Sequence, residues 1–484
     1  MRKLFLTALL LVFFMQAGEK VFCVNVEYSP LFHYTMGMIY YFEGETDKTI
    51  EEFEKAVDYG DNSLLIHKNL LELYALKTDY EKIEREALKV LSVDEKDVAA
   101  NRYMAEICAI YRKDIDEAIK YQKKVITLAP ESVKARLFLG ALYGERGEAG
   151  PARKTYKGVL KLDRNNFSAY SYLAGVYEYE KKYKDALKVY RKLSAIYPLV
   201  TQIYDNMGTI YNKLNRVKEA KKCFLKSIEK NPENVRALYN LVLIYETGRQ
   251  WGEVINYLEK IVKLQPAVAQ TYIHLGISYI EADRFDGAIE VLKKAVELDP
   301  EKGAAYTALG ITYEYKKMYK EAIGAFSLAI EKNPSGRDNY FHLGLCYDNL
   351  KQYSESESAF TRAIELDPEF AQARNYLGYS WADRGVNLDS ATVHVEEALR
   401  VEPSNGAYLD SLGWIYFKKG NYQEAEKLLK KAIKYLKDPV IYEHLGNTYE
   451  KLGLDGKAVV FFRKALSIDS GKRGLEEKIK ALSR

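Results

Sequence analysis

The sequence predicts an all-α protein built as an array of about thirteen similar helical hairpins. Three observations support this prediction. Prolines recur every 34 residues from Pro198 to Pro368, a Tyr-x-x-Leu-Gly-x-x-Tyr pattern follows most of them, and small residues lie at fixed distances beyond that pattern. Self-similarity at a fixed period is typical of repeat architectures, so the length of 484 residues does not indicate several separate globular domains.

One residue of the pattern, usually Gly, marks the register of each repeat. Twelve or thirteen residues after most marks comes an Ala, and seven residues later a second Ala often appears. Repeats 1 to 13 have the marks Gly37, Leu71, Ala105, Gly140, Ala174, Gly208, Val242, Gly276, Gly310, Gly344, Gly378, Gly413 and Gly446.

Repeat 9 illustrates why each repeat predicts two helices. Apolar or small residues recur at i, i+3, i+4 and i+7 in the segment 306–313, and at i, i+4, i+7 and i+8 in the segment 322–330. The small residues let the two backbones approach closely, and the large Tyr and Phe side chains fill the space beside them. Pro300 ends the preceding helix, because proline disfavours helical geometry in the residue before it. One hairpin cannot bury its apolar face alone, so stacked copies are expected to share a continuous core.

The ends of the array have their own signals. Ser29 and Pro30 are expected to cap and begin the first helix. After repeat 13, Leu475, Ile479 and Leu482 fall on one helical face, as in a helix that covers the last exposed hairpin. No linker rich in Pro, Gly or Ser interrupts the repeats, so we expect one elongated domain at residues 24–469 and a capping helix at residues 470–484.

The repeat closely resembles the tetratricopeptide repeat (TPR) family. The 34-residue period, the Leu-Gly-x-x-Tyr segment and the Ala, Phe, Ala and Pro positions match that family over about residues 30–468, with Tyr in most repeats where the family often has Trp. The resemblance implies a right-handed superhelical solenoid of about thirteen helix-turn-helix units. Repeats 11 to 13 are similar to secreted or envelope-associated bacterial TPR proteins.

The resemblance also implies that the first helix of each repeat lines a concave groove that contacts ligand. We call the residues at those positions the groove candidates. Asn and Tyr side chains suit an extended peptide, and aromatic residues beside carboxylates favour apolar or basic residues in the guest. The groove candidates are Tyr172, Tyr179, Asn206, Asn212, Arg236, Tyr239, Asn240, Glu246, Glu314, Tyr315, Phe341, Asp348, Asn375, Tyr379, Asp383, Trp414 and Phe417. The alternative for each aromatic side chain is that it packs against the neighbouring repeat.

One binding mode of the family grips the terminal carboxylate of a peptide with Lys, Asn and further basic residues. Asn206 and Arg236 match two of those positions, but Ser171 and Gly175 stand where Lys and Asn are required. These departures argue against that clamp.

The function implied is a non-enzymatic scaffold that binds a protein or peptide segment and helps to assemble a cell-envelope complex. The alternative is an accessory arm of a polysaccharide- or peptidoglycan-modifying enzyme complex whose catalytic site is on another chain. No nucleophile elbow, P-loop, HExxH or dinucleotide fingerprint occurs, so catalysis by this chain and a cofactor are not expected. Neither the sequence nor the resemblance indicates an oligomeric state.

Two other ligand classes are not expected from the sequence. His274, His342 and His444 share one repeat position but lie in different repeats, which predicts no shared metal site. The 72 basic and 68 acidic residues are interspersed along the chain, which predicts no basic face for nucleic acid.

The first residues differ from the array. Arg2 and Lys3 precede an apolar run from Leu4 to Met15, which is too short for a membrane span and is typical of a signal peptide. We therefore interpret residues 1–23 as a signal peptide, which places the protein in the periplasm or envelope. The alternative is an uncleaved inner-membrane anchor at residues 4–17, through which alone the chain would associate with a membrane.

Overall fold

Helical hairpins follow one another through all of the chain that the structure describes. The structure is a computed structural model, and it describes residues 29–472 and 474–483. These residues form 27 α-helices and no strand. The prediction of an all-α array of helical hairpins is confirmed. The chain forms two compact halves, one ending at Lys230 and the other beginning at Asn231, where the sequence predicts a single domain.

The N-terminal half contains repeats 1 to 6. In α1 to α26, the odd-numbered helices are the first helix, or A helix, of each repeat, and the even-numbered helices are the second, or B helix. The helices are α1 (Pro30–Glu43), α2 (Thr46–Asp58), α3 (Leu64–Lys77), α4 (Tyr80–Val93), α5 (Val98–Ile110), α6 (Ile115–Leu128), α7 (Val133–Glu145), α8 (Ala149–Leu162), α9 (Phe167–Tyr179), α10 (Tyr183–Ile196), α11 (Thr201–Lys213) and α12 (Val217–Lys230).

The C-terminal half contains repeats 7 to 13 and one further helix. Its helices are α13 (Val235–Thr247), α14 (Trp251–Leu264), α15 (Ala269–Glu281), α16 (Phe285–Leu298), α17 (Gly303–Tyr315), α18 (Tyr319–Lys332), α19 (Arg337–Asn349), α20 (Tyr353–Leu366), α21 (Ala371–Arg384), α22 (Leu388–Val401), α23 (Gly406–Lys418), α24 (Tyr422–Tyr435), α25 (Pro439–Lys451), α26 (Asp455–Ile468) and α27 (Gly474–Leu482).

Where the register residue is glycine, it packs against one large side chain of the B helix of the same repeat. In repeat 9, a Cβ added to Gly310 would lie 2.6 Å from a ring carbon of Phe326, which is fully buried. Gly344 and Phe360 make the same pair in repeat 10. Glycine is therefore required by the closeness of the aromatic ring, since a contact below about 3 Å is not tolerated between carbon atoms.

Repeat 2 reverses the sizes of this pair. Leu71 stands at the register position and Ala87 stands where most repeats have Phe, Tyr or Leu, and both side chains are buried. The large residue has moved from the B helix to the A helix, so the deviation of Leu71 from the repeat pattern is an exchange of volumes within one layer of the core.

Repeat 11 accommodates its extra residue within a helix. Its A helix, α21, has 14 residues where α17, α19 and α23 have 13, and three residues still separate α21 from α22. Helix α21 ends at Arg384, and its C-cap residue Gly385 has a φ of 71°, in the left-handed region that favours glycine. Thirteen residues separate Gly378 from Ala391 where most repeats have twelve, which predicts a lengthened turn at residues 383–387. That prediction is wrong, because the additional residue extends the helix.

The two ends of the array differ in how well they match expectation. Pro30 occupies the first turn of α1, as predicted, but the side chain of Ser29 makes no capping hydrogen bond. Helix α27 places Leu475, Ile479 and Leu482 against the core cluster that includes Phe462 of α26. The predicted capping helix is thus present.

A buried carboxylate links the two helices of repeat 2 and gives a testable pH dependence. Glu86 is 1% exposed and lies 2.6 Å from Nδ1 of His67, with Arg85 and Lys89 also donating to it. Burial by itself raises the pKa of Glu86, but these hydrogen bonds lower the pKa below its ordinary value. Because the folded-state pKa is lowered, Glu86 stabilises the fold above its unfolded-state pKa, and this stabilisation is lost as pH falls through the folded-state value.

We expect Glu86→Gln to lower the free energy of unfolding at pH 7 by about 1–3 kcal/mol. The variant should also lose less of this free energy than the original protein when the pH is lowered. Urea unfolding of both proteins between pH 7 and pH 3 measures this. Equal pH dependence in the two proteins would contradict the role of Glu86.

Candidate functional site

Four successive A helices of the C-terminal half bring aromatic side chains and carboxylates together. Helix α21 carries Asn375, Tyr379 and Asp383 at i, i+4 and i+8, which places them on one helical face. Helix α23 carries Asp410, Trp414 and Phe417 at i, i+4 and i+7. We call the following set the acidic aromatic site: Asp348 of α19, Tyr379 and Asp383 of α21, Asp410, Trp414 and Phe417 of α23, and Glu443 of α25.

The aromatic part of this site is a stack centred on Trp414. Its ring lies parallel to that of Phe417 at 4.6 Å and parallel to the imidazole of His444 at 4.0 Å. Tyr379 packs against the same cluster and is half-buried. The Nζ of Lys418 lies 5.0 Å from the centre of the Trp414 ring and donates to the backbone carbonyl of Asp383 at 2.9 Å. A cation is therefore already held at the edge of this site by an indole ring and a carbonyl.

The field within the acidic aromatic site is negative at Tyr379. Burial raises the pKa of the Tyr379 phenol, and nearby carboxylates raise that pKa further. The carboxylates that do so belong to Asp383, Asp410, Glu443 and Asp348. Burial disfavours charge of either sign, but the part of the pKa shift that the carboxylates cause reports a field that disfavours additional negative charge and favours a cation.

The four carboxylates differ in their partners. Asp348 accepts a hydrogen bond from Ser380 at 2.6 Å, Asp410 lies 2.9 Å from Nδ1 of His444, and Glu443 pairs with Lys472. Asp383 is exposed, and its carboxylate makes no ion pair within the described part of the chain. Asp383 is consequently the carboxylate most available to an incoming cation.

Three polar atoms in this region are buried without a hydrogen-bond partner among the described residues. They are Oδ1 of Asn375, Nε1 of Trp381 and Nε1 of Trp414. Asn375 is 7% exposed overall and Trp414 is 9% exposed. Buried polar groups in native proteins are nearly always hydrogen-bonded, so each of these atoms calls for a water or ligand partner.

The groove candidates differ widely in exposure. Tyr172, Tyr179, Asn212, Arg236, Tyr315 and Asp383 are exposed. Asn206, Tyr239, Asn240, Glu246, Glu314, Asp348, Tyr379 and Phe417 are half-buried. Phe341, Asn375 and Trp414 are buried, so the expectation that their side chains are open to a ligand needs correction. Phe341 packs in a core cluster with Phe360 and Phe370, as the packing alternative requires.

Two acidic groove candidates connect neighbouring repeats. Glu314 lies 2.8 Å from Nδ1 of His342 in the next repeat, and Glu246 pairs with Nε2 of His274 in the repeat after its own. His444 makes the corresponding link to Asp410. The shared position of the three histidines therefore has a structural role in joining repeats, which the sequence reasoning missed. The available signal was an acidic residue 28 or 34 positions before each histidine.

The groove candidates of the N-terminal half do not form one site. Tyr172 and Tyr179 line a shallow cleft with Tyr156. Asn206 donates to the hydroxyl of Tyr190 at 3.0 Å and accepts from Gln202 at 2.8 Å. Arg236 lies in the other half, where Asn240 donates to its backbone carbonyl at 2.8 Å.

The expectation of no basic face is wrong for repeats 4 to 6. Residues 150–230 contain 18 Lys and Arg against 7 Asp and Glu, although the whole chain has a net charge of only +4. Six of these cations surround one surface cleft. Averaging charge over the whole chain conceals this concentration.

Three findings concern other predictions. No group of three or more His, Cys, Asp or Glu side chains within residues 29–472 and 474–483 is arranged to hold a metal ion. Among the same residues, no helix combines the length and the apolar character needed to cross a membrane. The segments 1–23 and 4–17, interpreted as a signal peptide or an anchor, lie entirely outside the described residues.

Comparisons with known families are consistent with the repeat period. A family profile described as "Tetratricopeptide repeat" matches residues 311–472, and another with that description matches residues 32–59 and 108–132. A profile described as "Tetratricopeptide repeat protein 21 C-terminal ARM domain" matches residues 198–377.

Two curated relatives align with short stretches of this chain. A TPR repeat-containing protein of Pseudomonas aeruginosa is 37% identical over 76 residues, which are 16% of this chain and 13% of that protein. A TPR repeat-containing protein of Methanocaldococcus jannaschii is 33% identical over 84 residues, which are 17% of this chain and 15% of that protein. The chain thus spans about one-seventh of the length of each relative.

Solved structures share the helical repeat at low overall similarity. The Cut9–Hcn1 hetero-tetramer of the APC/C covers 95% of this chain and 99% of its own at 16% identity, with a TM-score of 0.44. The alignment with yeast Tom70 covers 94% of this chain and 95% of Tom70 at 17% identity, with a TM-score of 0.39. YrrB is described as a TPR protein with an unusual peptide-binding site. Its alignment covers 38% of this chain and 94% of YrrB at 27% identity, with a TM-score of 0.33. At these TM-scores the superpositions carry no argument about function.

Proposed function

We propose that this chain, which is an array of tetratricopeptide repeats, binds a basic segment of a partner protein at the acidic aromatic site. Repeats of this kind are typical scaffolds for protein–protein interaction and generally lack catalytic activity. The observation that carries the proposal is the position of Tyr379 among four carboxylates beside the Trp414 stack.

The expected mechanism is cation capture on a preformed surface. A Lys or Arg of the guest places its charge near Asp383 and its methylene stem along Tyr379 and Phe417. Because the A helices are fixed by their hairpins, the receptor loses little conformational entropy on binding. A basic side chain of the chain already uses one of these carboxylates in this way, since Lys472 pairs with Glu443.

The test uses a fluorescent peptide of alternating lysine and leucine as the probe. We expect Asp383→Lys to weaken its binding about tenfold or more, and Asp383→Asn about threefold, because one charge pair is reversed or removed. Asp383 is exposed, so neither change should affect folding. Fluorescence anisotropy at low and high salt gives the affinities and their ionic-strength dependence.

The matched control is Asp283→Asn, an exposed carboxylate in the turn after α15 that lies outside the acidic aromatic site. It should leave the affinity unchanged. If Asp383→Lys binds the probe as tightly as the original protein, the acidic aromatic site is not the binding surface and the proposal fails.

The proposal extends to the cell envelope, where the partner would belong to an assembly complex. Its support is the basic start and apolar run of residues 2–15, which suit export. N-terminal sequencing of the mature protein and cell fractionation test this part. A protein that begins at Met1 and fractionates with the cytosol would contradict it, while one that begins at Met1 in the membrane fraction would indicate the anchor at residues 4–17.

A separate experiment identifies the partner protein in the envelope. We expect a pull-down from detergent-solubilised envelope, analysed by mass spectrometry, to recover a protein whose capture is reduced by Asp383→Lys. Recovery of a polysaccharide- or peptidoglycan-modifying enzyme would favour the accessory-arm alternative.

A further inference from the structure

A cleft with a basic rim lies between repeats 4 and 5 of the N-terminal half. It is formed by the B helix of repeat 4, α8, and by both helices of repeat 5, α9 and α10. We call it the basic cleft. Its rim consists of Lys157, Lys161, Arg164, Lys188, Arg191 and Lys192, all of which are exposed.

Most of the positive charge around the basic cleft is uncompensated. Lys188 pairs with Asp185 at 3.2 Å, and Arg191 donates to the hydroxyl of Tyr211 at 2.8 Å. Lys161, Arg164 and Lys192 make no ion pair within the described residues, in a protein where many surface cations have a carboxylate partner. Like charges that line one cleft repel one another, so the rim favours an anionic ligand over the empty state.

The floor of the basic cleft is apolar and closed by the core. It contains Leu160, Leu173 and Val189, of which Leu173 is 3% and Val189 is 9% exposed. Tyr170 and Tyr177 form its sides. A ligand that fills this cleft must therefore combine negative charge at its edges with an apolar group at its centre.

We infer that the basic cleft binds an acidic segment of a protein, in which carboxylates flank a leucine-like side chain. The carboxylates would meet the six rim cations, and the apolar side chain would cover the aliphatic floor. This surface lies in a different half from the acidic aromatic site and prefers the opposite charge, so the inference stands independently of the proposed function.

Two other anionic partners fit the basic cleft less well. Nucleic acid binding of this kind relies on bases stacking on open aromatic faces, but Arg153 and Lys157 lie 5.5 and 5.9 Å from the Tyr177 ring centre. A flat anionic bilayer would contact the rim cations and leave the recessed apolar floor unfilled. Both partners nevertheless serve as arms of the test.

The experiment measures binding of a short peptide in which glutamates alternate with leucines. We expect the double variant Lys161→Glu/Lys192→Glu to weaken this binding at least about tenfold, because two charge pairs become repulsive. Replacing the leucines of the peptide with glutamines should weaken binding to the original protein by a similar factor, which tests the apolar floor without altering the protein.

The matched control is Lys320→Glu/Lys431→Glu, which reverses two exposed cations on B helices of the C-terminal half and should leave the affinity unchanged. The same measurements are made with oligo(dT) and with phosphatidylglycerol vesicles. The inference is overturned if the peptide does not bind, if its leucines do not matter, or if Lys161→Glu/Lys192→Glu leaves its binding intact. It is also overturned if oligo(dT) or the vesicles bind more tightly than the peptide in a manner that depends on Lys161 and Lys192.

Discussion

Phe326→Ala should lower the free energy of unfolding of the repeats around it by about 3–5 kcal/mol. Phe326 is fully buried, and its ring fills the space directly opposite Gly310. The ring also lies parallel to the imidazole of His342 at 5.5 Å, so its loss weakens the contact with repeat 10 as well. A cavity of this size between two close helices cannot collapse, because both backbones are fixed by their neighbouring repeats.

The exchange of volumes in repeat 2 provides a way to repair this cavity. Gly310→Leu alone should be strongly destabilising, because its side chain would collide with the Phe326 ring. The double variant Gly310→Leu/Phe326→Ala reproduces the arrangement of Leu71 and Ala87, and we expect it to be more stable than either single variant. Gly324→Ala is the control: it lies in the B helix of the same repeat, α18, with open space around it, and should be neutral or stabilising by up to about 1 kcal/mol.

Repeat arrays do not always unfold as one cooperative unit, so a local measurement is needed beside the urea midpoint. Native-state hydrogen exchange of the backbone amides in α17 and α18 provides it. If these amides exchange faster in the double variant than in Phe326→Ala, the combined side-chain volume at positions 310 and 326 does not determine the stability of the repeat.

The fold could be predicted from the sequence because its determinants are local and repeated. The spacing between Gly310 and Phe326 recurs in other repeats, so each copy reinforces the register of the next. The capping helix was predictable from Leu475, Ile479 and Leu482 because amphipathicity depends only on the position in the helix. The division after Lys230 was not predictable, because no proline, glycine or serine cluster marks it.

The candidate site was predictable only in part. The helical register places Asn375, Tyr379 and Asp383 on one face of α21, and the structure agrees with that placement. The exposure of these side chains, however, depends on which side chains of the neighbouring repeat cover them. The register of a single helix does not specify that contact. Glu314 is bonded to His342, and Phe341 is enclosed by Phe360 and Phe370, because side chains from adjacent repeats cover these positions. The basic cleft was missed for a related reason, since its cations come from separate helices.

Trp414 is the groove candidate for which a packing role and a binding role predict the most different effects on stability. The sequence favours an exposed groove residue, whose replacement with Ala would leave stability nearly unchanged. The structure encloses its ring between Phe417 and His444 and leaves 9% of the residue exposed. We therefore expect Trp414→Ala to cost about 3–5 kcal/mol, and to reduce hydrogen-exchange protection in α23 and α25.

Replacing Trp414 with Phe distinguishes the two roles that this residue can have. Phenylalanine retains a ring between Phe417 and His444 but removes Nε1, which has no partner among the described residues. Removing an unsatisfied buried donor offsets part of the lost volume, so Trp414→Phe should cost no more than about 1.5 kcal/mol. Tyr179→Ala, at a 75% exposed position, is the stability control and should stay within about 0.5 kcal/mol of the original protein.

Binding of the lysine–leucine probe then decides the role of the indole N–H. If Trp414→Phe keeps both stability and affinity, Trp414 supports the acidic aromatic site only by packing behind Tyr379. If it keeps stability but loses affinity, the N–H is part of the binding surface and becomes accessible when the guest binds. A loss of stability as large as that of Trp414→Ala would show that the shape of the indole ring itself holds repeats 12 and 13 together.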